Sequence, residues 1–263
     1  MRNGKVQKRM IVKTVKKALK KALPKALLTI LVKLRQGFLG LEREYRGLST
    51  EQVFDKIYRE GAWGRDKKGN AISGAGSHTD NIIDPYVSTV KKVLSKLNSP
   101  IIVDLGCGDF NVGKNFTLDA SHYIACDVSN FMIKKNREIY SSENVEFRQL
   151  NIAEDELPRG HIAFVRQVLQ HLGNDDIKRF VETVNKTAPH QYLLVTEHIA
   201  TSPRFRANID KPKGPGIRVS LRSGVDIAEE PFNLNYKEKE VLLEVDTAMG
   251  DLSATIRSTL YTI

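Results

Sequence analysis

The sequence predicts an α/β fold: a mostly parallel sheet with helices on both faces. Three observations carry that expectation. Strand and helix patterns alternate regularly after Pro100. The first strand, "IIVDLG", runs straight into Gly106-Cys107-Gly108 beside an acid. Two closing strands, "KEKEVLLEVD" and "LSATIRSTLYTI", flank a short "TAMGD" segment, which implies an antiparallel ending.

Taken in order, residues 1–48 read as a basic amphipathic arm. Residues 1–46 carry 14 Lys+Arg against 2 Asp+Glu, a balance of +12, and the other 217 carry 27 against 29, a balance of −2. The excess charge therefore sits in the arm, which argues against a basic nucleic-acid surface spread over the whole chain. Apolar residues such as Ile11, Val15, Leu19, Leu23, Leu27, Ile30 and Leu34 recur at helical steps, with Lys13, Lys17 and Lys20 opposite them. Pro24 kinks or divides that helix. Its longest apolar stretch, Ala26 to Val32, is far short of the roughly 20 residues that span a bilayer. A helix of this pattern can lie on an anionic membrane. Packing on its own domain or a partner, a presequence and a nucleic-acid tail are the other readings.

The body, 49–263, begins with "STEQVFDKIYREGAWG", a short helix capped at Ser49 or Thr50 and ending at Gly61. A glycine-rich loop, "GRDKKGNAISGAGSHTDN", leads to a helix with Pro85 in its first turn and a stop at Pro100. Then follow "IIVDLG" (strand), "HYIACDV" (strand), "SNFMIKKNREIYSS" (helix), "VEFRQLN" (strand), "HIAFVRQ" (strand), "NDDIKRFVETVNKTA" (helix) and "QYLLVTEH" (strand). Residues 200–235 form a Pro-, Gly- and Arg/Lys-rich insertion before the last two strands, the composition and length of a lid. Its cations, among them Lys211 and Arg218, are candidates to meet phosphates or carboxylates of a ligand. Cys107 and Cys126 are the only cysteines, so no disulfide framework or C-x-x-C metal pair exists and a reducing compartment is expected.

In open α/β sheets ligands sit beyond the carboxyl ends of the strands, where Gly106 and Gly108 fall. Without side chains they let a ligand approach the backbone. Asp127, 19 positions after Gly108, ends the second strand, and a carboxylate there can accept from both hydroxyls of a ribose. Asn111 replaces the third glycine of G-x-G-x-x-G and no phosphate loop occurs, so a nucleoside without a pyrophosphate fits best.

Asp104-Leu105-Gly106-Cys107-Gly108, Asp127, Asn151 and Arg166-Gln167-Val168-Leu169, in that order, resemble the class I S-adenosylmethionine-dependent methyltransferases over about residues 84–200. The resemblance implies a Rossmann-like seven-stranded sheet in order 3-2-1-4-5-7-6, with S-adenosyl-L-methionine as cofactor. It implies that Gly106, Cys107 and Gly108 flank the methionine and ribose, that Asp127 holds the ribose diol, and that Val128 packs on the adenine. Asn151 stands where the family often has an acid bonding the adenine amino group. Ile152 would offer its backbone N–H, and Arg166 and Gln167 lie below the sulfonium. "IYREGAWG", "SGAGSHT", "VRQVLQHL", "LVTEH" and "DKPKGPGIRVSLRSG" are similar to bacterial methyltransferase-like proteins, many tied to surface polysaccharide synthesis.

The glycine-rich loop offers backbone N–H groups plus Ser73 or Ser77 for the cofactor carboxylate, and Trp63 can close the pocket. A hydroxyl acceptor also needs a base. His198, His171 and Glu197 lie at the ligand-binding edge, with His198 preferred, and strand alternation lets only one of Glu197 and His198 face the cleft. Cys107 is not expected to be a nucleophile. The expected function is methyl transfer to a small-molecule or glycan hydroxyl, cytoplasmic and peripheral at the inner face of the membrane. An RNA or protein methyltransferase is less favoured, since the Asn/Asp-Pro-Pro-Tyr motif is replaced by "RQVLQ". A binding protein without turnover is the third reading.

Overall fold

In the computed structural model, residues 43–249 and 252–263 are described. The amphipathic helix, the Pro24 kink and the membrane contact expected of the arm fall on residues 1–42, outside them. Strands β1 (Ile101–Leu105), β2 (His122–Asp127), β3 (Val145–Gln149), β4 (Gly160–Arg166), β5 (His190–Ala200), β6 (Glu238–Met249) and β7 (Leu252–Thr262) form one sheet in order β3-β2-β1-β4-β5-β7-β6. β1 to β5 pair parallel, and β7 enters antiparallel between β5 and β6. This is the expected Rossmann-like order.

The central strands are buried on both faces, and their residues alternate between two cores. Val103, Leu105, Ile124, Cys126, Ala163, Val165, Leu193 and Val195 face one side. There they meet helices α1 (Thr50–Glu60) and α4 (Asn174–Thr187) through Val53, Phe54, Ile57, Ile177, Phe180 and Val184. Ile102, Tyr123, Ala125, Ile162, Phe164 and Leu194 face the other side. That side is covered by α2 (Asp80–Leu94), Ile133 of α3 (Asn130–Tyr140) and the 3-10 helix Gly113–Asp119.

Local chemistry sets the boundaries. Ser49 caps α1 in a reciprocal box with Gln52, and Gly61 closes it at φ 68°. α2 starts five residues earlier than its proline signals, so Pro85 lies in the second turn, not the first. "TAM" belongs to β6 rather than to a turn, and β6 carries a bulge between Val241 and Leu243.

The 200–235 insertion is not a free loop. Asn208, Ile209, Lys211, Val219, Ser223, Val225, Ile227, Phe232 and Leu234 are buried, and Arg218 is 0% exposed. Two cations read from the sequence as ligand contacts are thereby corrected. Arg218 donates to the carbonyls of Ile209, Leu169 and Leu172 and to Asn174 Oδ1. Lys211 Nζ donates to the His171 and Pro212 carbonyls.

Candidate functional site

A narrow cavity, continuous with open solvent and enclosing with it about 980 Å³ of empty space, lies beyond the carboxyl ends of β1, β2 and β4. Its floor is the β1 corner. Gly106 and Gly108 take φ of 95° and 55°, and the amides of Gly106 and Cys107 both donate to the Cys126 carbonyl at 2.8 and 2.9 Å. A Cβ on Gly106 would collide with Val168 Cγ2, and one on Gly108 with Ser73 Oγ. The bare backbone expected for ligand approach is thus required first by the protein's own neighbours.

Asp127 faces this corner. Its Oδ2 accepts from the Gly108 amide at 2.9 Å and its Oδ1 from the Ser129 amide at 2.8 Å. A carboxylate offers about four lone-pair positions, so each oxygen keeps one for a ligand. Burial pushes the group up to about 6 against the pull of those two amides. Val128, Leu150 and Ile152 form an apolar wall beside it, with Asn151. Asn151 does line the cavity, but its Oδ1 accepts the Ala153 amide at 3.1 Å and so caps its own turn.

Asp104 lies under the corner, held by Tyr123 Oη at 2.9 Å and pushed by burial up to about 7. Cys107 lines the cavity as a thiol, because burial and then the Asp127 and Asp104 charges raise its pKa well above normal. That is no environment for a nucleophile.

The glycine-rich loop is strapped to the corner. Asp109 Oδ2 accepts from the Ser73 amide at 2.9 Å and meets His78 Nε2 at 2.6 Å, while Ser73 Oγ accepts the Asp109 amide at 2.8 Å. Burial alone would raise Asp109, but the His78 bond and charge and the Ser73 and Asn111 amides hold it below the usual range. Asn111 Nδ2 donates to the Ser77 carbonyl at 2.7 Å. Arg166, stacked 4.8 Å over Tyr86, donates to Ser77 Oγ at 3.0 Å and to the Gly76 carbonyl at 2.6 Å. Ser77, Arg166 and Gln167 therefore meet on one wall.

At the far end Trp63 lies 4.7 Å from the His171 ring and donates Nε1 to the Pro215 carbonyl at 3.2 Å. Gly214 N donates to the His171 carbonyl at 3.0 Å, and Lys213 Nζ to Thr50 Oγ1 at 2.8 Å. The tip of the insertion is thereby joined to the cavity wall on both sides.

The three basic candidates separate. His171 lines the cavity, and burial, reinforced by the Lys211 charge, drives its pKa down to about 3. His198, the preferred residue from the sequence, lies outside the cavity lining. Its Nδ1 pairs with Gln170 Oε1 at 3.0 Å, and burial lowers it to about 4. Glu197 is turned into the fold instead: its carboxylate accepts the amides of Val168, Leu169 and Gln170 at 3.1, 2.8 and 3.0 Å. Burial pushes it up to about 8, against the Leu169 and Gln170 amides and the Arg218 charge. Its geometry corrects the reading of Glu197 as a base.

Thr50, Phe54 and Tyr58 of α1 also line the cavity and were not singled out from sequence. Phe54 and Tyr58, four residues apart, share one apolar face of α1, but only the fold shows that this face covers a ligand site as well as the core.

Residues 102–188 match the family model described as "Methyltransferase domain". No curated protein matches the chain. Among solved structures, the N-methyltransferase NodS from Bradyrhizobium japonicum WM9, in complex with S-adenosyl-L-homocysteine, is 10% identical with a TM-score of 0.56, over 80% of this chain and 98% of that one. The N-terminal domain of EvdMO1 with bound S-adenosylhomocysteine is 13% identical at a TM-score of 0.49, over 82% of this chain and 98% of that one. The NodS likeness reproduces the fold; the family match covers the strands that build the corner. Residues 102–188 thus match a methyltransferase domain, and with the sheet order, the Gly106–Gly108 corner and the facing acid at Asp127 the protein is an S-adenosylmethionine-dependent methyltransferase.

Proposed function

We propose that the protein transfers the methyl group to a small-molecule or glycan acceptor, at a hydroxyl oxygen. The observation that carries this reading is the enclosure of the far end of the cavity, where the insertion tip is tied to Trp63, Thr50 and His171. An enclosed end suits a compact acceptor better than the open groove a macromolecule needs.

In this reading Asp127 holds the ribose diol through its two remaining lone-pair directions. Val128, Leu150 and Ile152 flank the adenine, and the Gly106–Gly108 backbone underlies the ribose and methionine. Ser77, Arg166 and Gln167 stand at the methionine end, where Arg166 Nε and Gln167 Nε2 are buried without partners among the described residues. Buried unpartnered donors favour a ligand that brings acceptor oxygens. The bound cofactor supplies an already activated sulfonium methyl. The protein's task is then orientation and exclusion of water.

His171 is the residue of choice at the acceptor. Burial keeps it neutral down to about pH 3, and with Nε2 met by the Gln170 side-chain amide at 3.3 Å its buried Nδ1, without a partner among the described residues, is the N–H that donates to an acceptor oxygen. Such a donor orients the acceptor oxygen rather than taking its proton. The similarity to proteins tied to surface polysaccharide synthesis favours a sugar among such acceptors, in the cytoplasm. The basic arm, by its sequence pattern, would hold the protein at an anionic membrane face. Among the described residues no helix is long and apolar enough to cross a membrane.

The test is product formation: incubation with methyl-labelled cofactor and separate panels of sugars, lipid-linked glycans, RNA and protein. Label in the sugar or glycan panel supports the proposal. Label only in RNA or protein, or none anywhere despite cofactor binding, overturns it.

A further inference from the structure

We infer that Glu197 and Arg218 form a positioning pair that grips the turn after β4 from both ends and so couples the insertion to the acceptor end of the cavity. The inference rests on the methyltransferase reading of that cavity but uses residues assigned no part in it.

The turn is a single 3-10 turn, Leu169–His171, preceded by Gln167 at a left-handed φ of 56°. So short a helix leaves nearly all its amides and carbonyls unpaired within itself. Here they are met by two buried side chains. The Glu197 carboxylate, 2% exposed, takes the three successive amides of residues 168–170. The Arg218 guanidinium, fully buried, donates at 2.8 Å to each of the Leu169 and Leu172 carbonyls. An acceptor group at the amide end and a cation at the carbonyl end match the polarity of the turn. The charge-assisted bonds from Arg218 hold geometry more firmly than neutral ones.

Gln167, Val168, His171 and Leu172, on the turn and its flanks, reach the cavity. Val168 packs over Gly106 so closely that no Cβ fits there, Gln167 Oε1 excludes one from Gly76 in the same way, and His171 abuts Trp63. Arg218 also binds the Ile209 carbonyl at 3.1 Å, within the insertion itself. A shift of the insertion therefore moves the wall on which the acceptor is oriented. Neither Glu197 nor Arg218 lines the cavity, so their effect passes through the turn.

The chain contains one tryptophan, Trp63, and it touches both His171 and the insertion tip, so its fluorescence reports the arrangement directly. The test compares Glu197→Gln, Arg218→Lys, Arg218→Met and the double variant Glu197→Gln with Arg218→Met against the full-length wild type. Each is measured by thermal melting, Trp63 emission with acrylamide quenching, and calorimetry with S-adenosylhomocysteine. The expected result for the single variants is a cooperative melt, red-shifted and more quenchable emission, and at least tenfold weaker binding, with Arg218→Lys intermediate. The double variant should lose little more than the worse single one, because both act on the same turn. Variants that melt earlier yet keep emission unchanged and affinity within twofold overturn the proposal. If Arg218→Met does not fold, Glu197→Gln and Arg218→Lys decide. Should the wild type bind no S-adenosylhomocysteine, the methyltransferase reading fails on its own, and Trp63 emission still judges the pair.

Discussion

Replacing Asp127 by Asn tests the cofactor assignment most sharply, because the change is nearly isosteric. In the wild type each carboxylate oxygen accepts one backbone amide, from Gly108 and from Ser129. An Asn side chain has one acceptor oxygen, so its NH2 must face one of those two N–H groups. The diol also loses one acceptor and the remaining bond loses its charge. A hydrogen bond to a charged group contributes about 1.5–3 kcal/mol. Loss of one such bond corresponds to a roughly 10- to 150-fold rise in Kd for S-adenosylhomocysteine. Calorimetry on wild type and Asp127→Asn at pH 7.5, paired with thermal melts, measures this. Asp127→Ala should weaken binding at least as much, while leaving both amides unsatisfied and lowering stability. Affinity within twofold of wild type in a folded Asp127→Asn protein refutes the ribose assignment.

Three further outcomes are expected. Stability should fall as pH rises from 6.5 to 8: Asp104 and Glu197 have folded pKa values raised to about 7 and 8, so the native state holds protons there that the unfolded chain has released. At about 1.4 kcal/mol per pH unit for each proton these two groups lose roughly 2.5 kcal/mol, the three depressed histidines, half-protonated at pH 6.5 in the unfolded chain, return about 1, and the net loss is roughly 1–2 kcal/mol. Below pH 6.5 the depressed His171, His190 and His198 oppose this trend, since the unfolded chain then binds the extra protons. A flat melting temperature across pH 6.5–8 contradicts the burial argument. His171→Phe should retain S-adenosylhomocysteine binding within about threefold but lower turnover of an identified acceptor about tenfold, the loss of one orienting hydrogen bond; the reverse pattern would place His171 at the cofactor. Deleting residues 1–40 should abolish co-sedimentation with anionic liposomes and spare cofactor binding, and co-sedimentation that persists rules out the arm as the anchor.

The sheet was legible because its signals are local. "IIVDLG" and "HYIACDV" are buried strands, and Asp127 at the end of β2 reaches Gly108 by the parallel register that pairs Leu105 with Cys126. The choice between His198 and His171 was not legible, because it depends on which side chain the Leu169–His171 turn directs into the cavity. That direction is set by Glu197 and Arg218, 28 and 49 residues from Leu169. Arg218 itself sits in a stretch rich in Pro, Gly and cations, which reads as solvated surface; its burial follows from partners brought near only by the folded sheet. Similarly, Phe54 and Tyr58 obey helical periodicity whether their apolar face meets core or cavity, so the pattern alone does not separate the two.

The contact between Gly106 and Val168 has a consequence for altering what the enzyme methylates. The strand-one corner and the loop after strand four share one slot, filled by a single isopropyl group. A bulkier residue at 168, introduced to reshape the acceptor side, would press on the main chain proposed to seat the donor. A smaller one would let that main chain sag toward it. Donor seat and acceptor wall are ganged like two drawers on one rail, and a redesign has to treat 106 and 168 as one position.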